Sequence, residues 1–295
     1  MTRDPKEILK KIRRIELRTR RLVNSTFAGQ YHSVFKGRGM NFEEVREYAP
    51  GDEIRSIDWN VTARMNAPYI KKFTEERELT VMLVVDVSAS GVFGSVELSK
   101  REIAAEVASI LAFSAINNND KVGLLLFTDG VELFIPPKKG RLHTLRLIRE
   151  MLFFEPKGKG TDLAAALDYM NRVITRKAVV FMISDFMAPD FTKALTVSSR
   201  RHDLVAMTVS DPGESELPDV GIVTLEDAET GEQIDINTSN RSVRRGLADL
   251  SEKRRRDLER LLRSRRVDIV SLSTAEDYLI PLRAFFEQRE RRMAA

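Results

Sequence analysis

Beyond residue 80 the chain alternates short, unbroken apolar runs with stretches whose apolar residues recur every three or four positions. This rhythm predicts a fold of alternating strands and helices. The runs at 81–85, 122–127, 178–183 and 203–209 have no polar alternation, as strands covered on both faces should. Between 122–127 and a shorter run at 132–135 stands Asp129-Gly130, a pair that predicts a hairpin turn and an antiparallel neighbour. Helices are predicted over about 97–117, 141–153 and 162–175, with a short one before Asp203. A further hairpin is expected over 220–237 around Glu229-Thr230-Gly231, then a helix over 243–266 with Leu247, Leu250, Leu258 and Leu261 on one face. A strand at 267–272 and an amphipathic helix at 275–292, with Leu279, Leu282, Phe285 and Phe286 apolar, close the chain.

The first eighty residues follow a different pattern. Ile8, Ile12, Ile15 and Leu22 recur at helical spacing over 5–22 among Lys10, Lys11, Arg13, Arg14, Arg18, Arg20 and Arg21, which predicts a basic amphipathic helix docked by its apolar stripe. Residues 24–79 read as a loop-rich extension with strand-like pieces such as 69–74, punctuated by Gly29, Gly37, Gly39 and Pro50-Gly51. The single tryptophan, Trp59, is expected to be a packing anchor there, because no aromatic neighbours accompany it at the spacing of a base-stacking platform. The chain therefore divides into an extension at 1–79, an α/β domain at 80–274 with an inserted hairpin and basic helix at about 214–266, and a terminal helix at 275–295.

Composition narrows the chemistry. With 295 residues and 42% hydrophobic content the chain can bury a large core, and 48 Lys and Arg against 44 Asp and Glu leave a formal charge of only +4. The absence of cysteine removes disulfides, thiol nucleophiles and Cys-ligated metals. The longest apolar stretch, 107–116, is broken by Ser109 and Ser114, so no transmembrane segment is expected. The start has no apolar signal-peptide centre, and a cytoplasmic location is inferred. The arginines of 243–266 are interleaved with acids at spacings of three and four, favouring intrahelical ion pairs over a specific nucleic-acid surface.

The candidate chemistry lies at strand ends. Asp86, Ser88 and Ser90 form an Asp-x-Ser-x-Ser turn directly after 81–85, Asp185 follows 178–183 in the same manner, and Thr161 lies in the loop Gly158-Lys159-Gly160-Thr161-Asp162. In an open α/β sheet the carboxyl ends of neighbouring strands flank the ligand crevice, so the two aspartates can converge there. Two carboxylates in a partly desolvated crevice want either a raised pKa or a divalent cation, and three hydroxyls beside them suit a hard ion such as magnesium. Taken singly, each of these residues could equally be a helix cap. Asp129 reads as turn chemistry, and Asp162 as a first-turn acid favoured by the helix dipole or an outer acceptor.

In combination and in this order, Asp86, Ser88, Ser90, Thr161 and Asp185 resemble the metal-ion-dependent adhesion site of von Willebrand factor A-type domains, although Ala89 stands where that turn often carries glycine. Upstream, the segment from Arg46 through Trp59 (REYAPGDEIRSIDW) and Thr62-Ala63-Arg64 is similar to the signature of the bacterial domain of unknown function 58 family. The resemblance implies a Rossmann-like, von Willebrand factor A-type open sheet, mostly parallel with one antiparallel edge strand and helices on both faces. It further implies Mg2+ or Mn2+ at the five residues, and a role in assembling or activating complexes beside MoxR-type AAA+ ATPases. The expected function is thus a non-enzymatic interaction module whose ion bridges to a partner's Asp or Glu. The alternative is a magnesium-dependent phosphatase or phosphotransferase. Ser88 stands where such a phosphatase would want a second aspartate, a phosphate-anchoring lysine is not evident in context, and the P-loop spacing is absent. His32, His143 and His202 form no catalytic pattern.

Overall fold

A computed structural model describes residues 5–23, 28–35, 41–65, 67–74, 78–95 and 98–294. In chain order, helices α1 (Pro5–Leu22) and α2 (Ala28–Phe35) precede strand β1 (Asn41–Glu47), helix α3 (Trp59–Met65) and strand β2 (Tyr69–Thr74). β1 and β2 pair antiparallel. Then come β3 (Thr80–Asp86), α4 (Lys100–Asn117), β4 (Lys121–Phe127), β5 (Val131–Lys138), α5 (Arg141–Phe153), α6 (Leu163–Val173), β6 (Val179–Ser184), α7 (Thr192–Arg201) and β7 (Asp203–Ser210). The hairpin β8 (Ile222–Glu226) and β9 (Gln233–Asn237), helix α8 (Arg241–Ser264), strand β10 (Asp268–Ser273) and helix α9 (Leu279–Ala294) complete the order.

Six strands form the central sheet in the order β10-β7-β6-β3-β4-β5, parallel except for β5. The open, mostly parallel α/β sheet with an antiparallel edge strand is as expected. Pro136 and Pro137 sit on β5, where an edge tolerates a missing amide donor. Alternate residues of each strand serve opposite faces. Val81, Leu83 and Val85 pack with α4, α5, α1, α2 and α9 on one side, and Met82 and Val84 pack with α6 and α7 on the other. Helix α4, buried along most of its length, lies at the centre of the first layer, and its start is fixed by a capping box between Ser99 and Glu102. The chain leaves β3 through α4 on one face to reach β4, and leaves β6 through α7 on the other face to reach β7. β3 and β6 are neighbours, so the connections diverge between them. That divergence is the topological switch point of the sheet.

Several local expectations change. Residues 28–35 are helical, with Tyr31, Val34 and Phe35 buried; Phe35 meets the rings of Phe181 and Phe286 edge-on. Trp59 is not a packing anchor. Asp58 accepts hydrogen bonds from the amides of Asn60 and Val61 at the start of α3, and this short outer helix leaves the indole 67% exposed. On α8 the expected leucine stripe is only partly covered: Leu250 is exposed, Leu247, Leu258 and Leu261 are half-buried, and Leu262 is the residue that reaches the core. The arginines of α8 do form ion pairs at spacings of three and four, including Arg255 and Arg256 with Glu252. On α1, Ile12 and Ile15 are buried and Leu22 is half-buried. The side chains of Ile8, Lys10, Lys11, Arg20 and Arg21, together with Gly37, Gly39 and Glu97 and the side chain of His32, lie outside the described residues.

Candidate functional site

Three connections meet at the carboxyl edge of β3 and β6. The first follows β3. Asp86 is the last residue of that strand; its carboxylate accepts the Ser88 amide at 2.9 Å and the Ser184 hydroxyl at 2.7 Å, and the Ser88 and Ser90 hydroxyls lie 3.1 Å apart. The second follows β6: Val85 stands opposite Ile183, so the chain delivers Ser184 beside Asp86 and Asp185 one residue beyond. Asp86, Ser90, Ser184 and Asp185 line one narrow cleft with Lys100 and Arg101. It has room for a water-sized body, ≈ 20 Å³.

The third connection, 157–162, brings Thr161 alongside. Glu132 on β5 accepts the amides of Lys157 (3.0 Å) and Gly158 (2.7 Å) and the hydroxyl of Thr128 (2.9 Å), and the Asp162 amide donates to the Thr128 carbonyl at 2.8 Å. A Cβ at Gly158 would lie 2.2 Å from Asp129 Oδ1 and 2.3 Å from Thr128 Oγ1, so a larger residue there must displace those side chains. The Ala89 amide donates to the Lys159 carbonyl at 3.0 Å, joining this loop to the Asp86–Ser90 turn. Thr161 is buried, and its hydroxyl donates to Glu229 Oε1 at 2.8 Å. Asp86, Ser88, Ser90 and Asp185 therefore come together directly, and Thr161 stands on the loop stapled to them.

The capping alternative can be checked helix by helix. Helix α4 is capped by Ser99, α6 by Asp162 through the Ala165 amide at 2.8 Å, and the position before α7 is Phe191. Asp86, Ser88, Ser90, Thr161 and Asp185 cap none of these helices; Ser88 stands at the N-cap position of the short 3-10 turn Ala89–Val92, but its side chain makes no capping bond there. Asp162 is an N-cap, and Asp129 belongs to the β4–β5 turn.

Electrostatically the two aspartates differ. The partners of Asp86 among the described residues are neutral, and burial pushes its pKa up to about 6 against the pull of Ser88 and Ser184, with the Asp185 charge adding to the rise. Asp185 instead holds an ammonium: Lys100 Nζ lies 2.8 Å from Oδ2 and also contacts Glu214. Burial alone would lower the Lys100 pKa, but Asp185 and Glu214 outweigh it and hold the group above its ordinary value. Lys100 was not anticipated, although its position carried a signal: a lysine in the first turn of an apolar helix opposes the helix dipole and needs acidic partners. Asp211 was also missed. It is a buried anchor beside the cleft that accepts the Ser95 and Gly213 amides and the Thr274 hydroxyl.

Among the described residues no group of three or more His, Cys, Asp or Glu side chains is placed to hold a metal; the set at the cleft is two carboxylates and neighbouring hydroxyls. No helix among them is long and apolar enough to cross a membrane. Exposed Val92 and Phe93 lie two and three residues beyond Ser90, and exposed Met187 two beyond Asp185.

The model of the family described as "Protein of unknown function DUF58" matches residues 44–257. "Uncharacterized protein Rv1480" of Mycobacterium tuberculosis is 32% identical over 291 residues, 98% of this chain and 91% of that protein. Among solved structures, the conserved hypothetical protein BatB from Bacteroides thetaiotaomicron is 16% identical with a TM-score of 0.44, covering 73% of this chain and 98% of BatB. The VWA domain of SpRpn10 is 10% identical with a TM-score of 0.39, covering 72% of this chain and 95% of the domain. A family match across most of the chain and a relative aligned nearly end to end lead to one assignment: the chain belongs to the DUF58 family.

Proposed function

We propose that this chain is a protein-interaction module of the cytoplasm, an adaptor or assembly factor, whose cleft takes Mg2+ or Mn2+ through Asp86, Ser88, Ser90, Thr161 and Asp185. The observation that supports the reading is that Asp86, Ser90 and Asp185 line one cleft at the switch point of the sheet, with Ser88 bonded to Ser90 and the Thr161 loop joined to the turn through Ala89 and Lys159, and that none of the five caps α4, α6 or α7. The donor set fits a hard divalent ion: every atom is oxygen, and the most buried carboxylate, Asp86, has only neutral partners to offset its charge among the described residues. When bound, such an ion supplies an open coordination position for a carboxylate. Asp86 is held in orientation by Ser184 and the Ser88 amide, and Ser88 and Ser90 orient one another. The partner expected from the family resemblance is a MoxR-type AAA+ ATPase presenting an Asp or Glu.

Thermal melting tests the metal. At about 100-fold excess over its dissociation constant Mg2+ should add about 2.7 kcal/mol to the wild type and nothing to Asp86→Ala. An unchanged melting curve with both Mg2+ and Mn2+ would remove the basis of the reading. Co-purification with the ATPase, lost on chelation and in Thr161→Ala, tests the partner.

Lys100 gives the phosphatase or phosphotransferase reading a specific foothold, since it puts an ammonium in the same cleft as Asp86. Against it, Lys100 is 3% exposed and already engaged by Asp185 and Glu214, and Ser88 remains where a second aspartate would be needed. Hydrolysis of a generic phosphate ester by the wild type, absent in Asp86→Asn, would establish turnover; we expect none.

A further inference from the structure

Helix α8 meets the rest of the molecule unevenly. In its second half Leu262 reaches the core, and Leu258 and Leu261 pack against it. Its first half, 241–254, adds no side chain to either apolar core among the described residues and is tied down by polar contacts instead. Arg244 donates to the Thr238 carbonyl and lies 3.2 Å from Asp219, and the Ser251 hydroxyl donates to the Glu214 carbonyl at 3.3 Å. Arg244, Ser251, Leu258 and Leu262 recur at helical intervals, so theirs is the face turned to the body. Beside it runs a second stripe, Val243, Gly246 and Leu250, with half-buried Leu247 between the two. Val243 is exposed and Leu250 is 45% exposed. A Cβ on Gly246 would meet nothing within 4 Å, and glycine in a helix interior is less favourable than alanine, so the chain's own packing gives this glycine no purpose. On an outer face a missing side chain lets another backbone come close.

Charge selects the occupant. Over 241–254 five Lys and Arg stand against two acids, and one of the acids, Glu252, is engaged by Arg255 and Arg256. Among the described residues Arg241, Arg245, Lys253 and Arg254 are exposed and form no ion pair, and Lys253 and Arg254 lie one turn beyond Leu250, at the end of the stripe. We propose that this face of α8 is a docking surface for an acidic amphipathic helix of a partner protein. The apolar residues of that helix lie along Val243, Leu247 and Leu250, its backbone comes closest at Gly246, and its carboxylates reach Lys253 and Arg254. A second copy of this chain does not fit the face, because α8 laid on α8 brings like charges together. The inference deepens the interaction-module reading by giving it a second surface, and this surface needs no ion.

The probe is a fluorescein-labelled peptide of about three heptads, with leucine at positions a and d and glutamate at most others. The full chain is titrated against it in chelator and followed by fluorescence anisotropy. The wild type should bind this peptide and not its counterpart with lysine for glutamate. Leu250→Glu should weaken binding about tenfold or more. Ala248→Glu makes the same addition of charge at an exposed position of α8 off the stripe, and it should weaken binding by at most about threefold. Gly246→Ala should weaken binding while raising the melting temperature by about 2 °C, a split that a purely structural glycine would not give. Lys253→Glu with Arg254→Glu should transfer the preference to the lysine peptide. No binding by the wild type, or equal binding by Leu250→Glu and Gly246→Ala, refutes the docking face. Loss of duplex DNA or of phosphatidylserine vesicles in Leu250→Glu, with the peptide unbound, refutes it equally and assigns the helix to that other occupant. In either case stabilisation by Mg2+ in the wild type and not in Asp86→Ala would leave the metal reading in place. Peptide binding in chelator without any Mg2+ effect on melting would support the docking face and remove the ion.

Discussion

Replacing Lys100 with methionine tests the charge arrangement of the cleft most directly. Lys100 and the Asp185 side chain are 3% and 6% exposed, so neither can turn to water when the other is removed, whereas Glu214 at 23% can. Removing one partner of a buried pair costs about 3–5 kcal/mol, chiefly because the remaining charge is stranded. Rehydration of Glu214 places Lys100→Met near the low end, about 3 kcal/mol. Asp185→Asn should cost a similar amount, because the ammonium then keeps only Glu214. The double variant removes both charges and leaves neither stranded, so its cost should fall short of the sum by about 2 kcal/mol or more. Urea denaturation in the presence of chelator measures all four proteins without interference from ions. A Lys100→Met loss below about 1 kcal/mol, the range of an exposed pair, or strict additivity in the double variant, would refute the buried pair.

Gly158→Ala should push the 157–162 loop off the Thr128–Asp129 turn at a cost of about 1–3 kcal/mol, and in the melting test it should reduce the gain from Mg2+ by shifting Thr161. Asp211→Ala should cost about 3 kcal/mol or more in denaturant, since it removes a charged acceptor from Ser95, Gly213 and Thr274 together. Burial works to raise the Asp211 pKa, but those donors hold it below its ordinary 3.8. Its contribution is therefore complete above that pH and is lost as the pH falls through the depressed folded value. Burial, reinforced by Arg201, lowers His202 below its ordinary 6.5. The unfolded chain then takes up the proton first, so stability should decline as the pH drops below about 6.5, and His202→Gln should flatten that limb of the stability–pH curve. Trp59→Ser should change stability by no more than about 0.5 kcal/mol; a large loss would contradict the exposed indole.

The sheet was legible because its strands are buried on both faces and so appear as unbroken apolar runs: 81–85, 122–127 and 178–183 all lie within observed strands, apart from Ala178 at the edge of β6. Asp129-Gly130 identified the antiparallel edge strand of the central sheet through its turn chemistry instead. Helix α2 was hidden because eight residues carry little periodicity and Gly29 stands near its start; tertiary burial of Tyr31, Val34 and Phe35 decides it. Trp59 misled because hydrophobic bulk alone does not report which side of a short outer helix a residue faces. At the cleft, strand-end aspartates could be placed by topology, since a residue that follows a parallel strand has only one edge to occupy. Lys100 and Glu229 find their partners 85 or more and 68 residues away in sequence, and Asp211 reaches Ser95 and Thr274 across 116 and 63; the first-turn lysine signals that acids are needed but not which ones, and nothing local names the distant partners of the other two.

The cleft pairs Asp185 with an ammonium and leaves Asp86 with neutral donors, and the difference bears on how an ion would be admitted. Asp185 is satisfied by Lys100, so an ion approaching it must compete with a fixed ammonium at 2.8 Å. Asp86 has a hydroxyl and an amide but no cation, and burial makes its charged form costly. An ion therefore gains most at Asp86, and any gain at Asp185 is reduced by repulsion from Lys100. Removing the ammonium should reverse that balance: Lys100→Met, although less stable alone, should recover more stability from saturating Mg2+ than the wild type does. If both proteins gain equally, the ion and Lys100 do not share Asp185, and the aspartate would drop out of the ligand set while Asp86, Ser88, Ser90 and Thr161 remained in it.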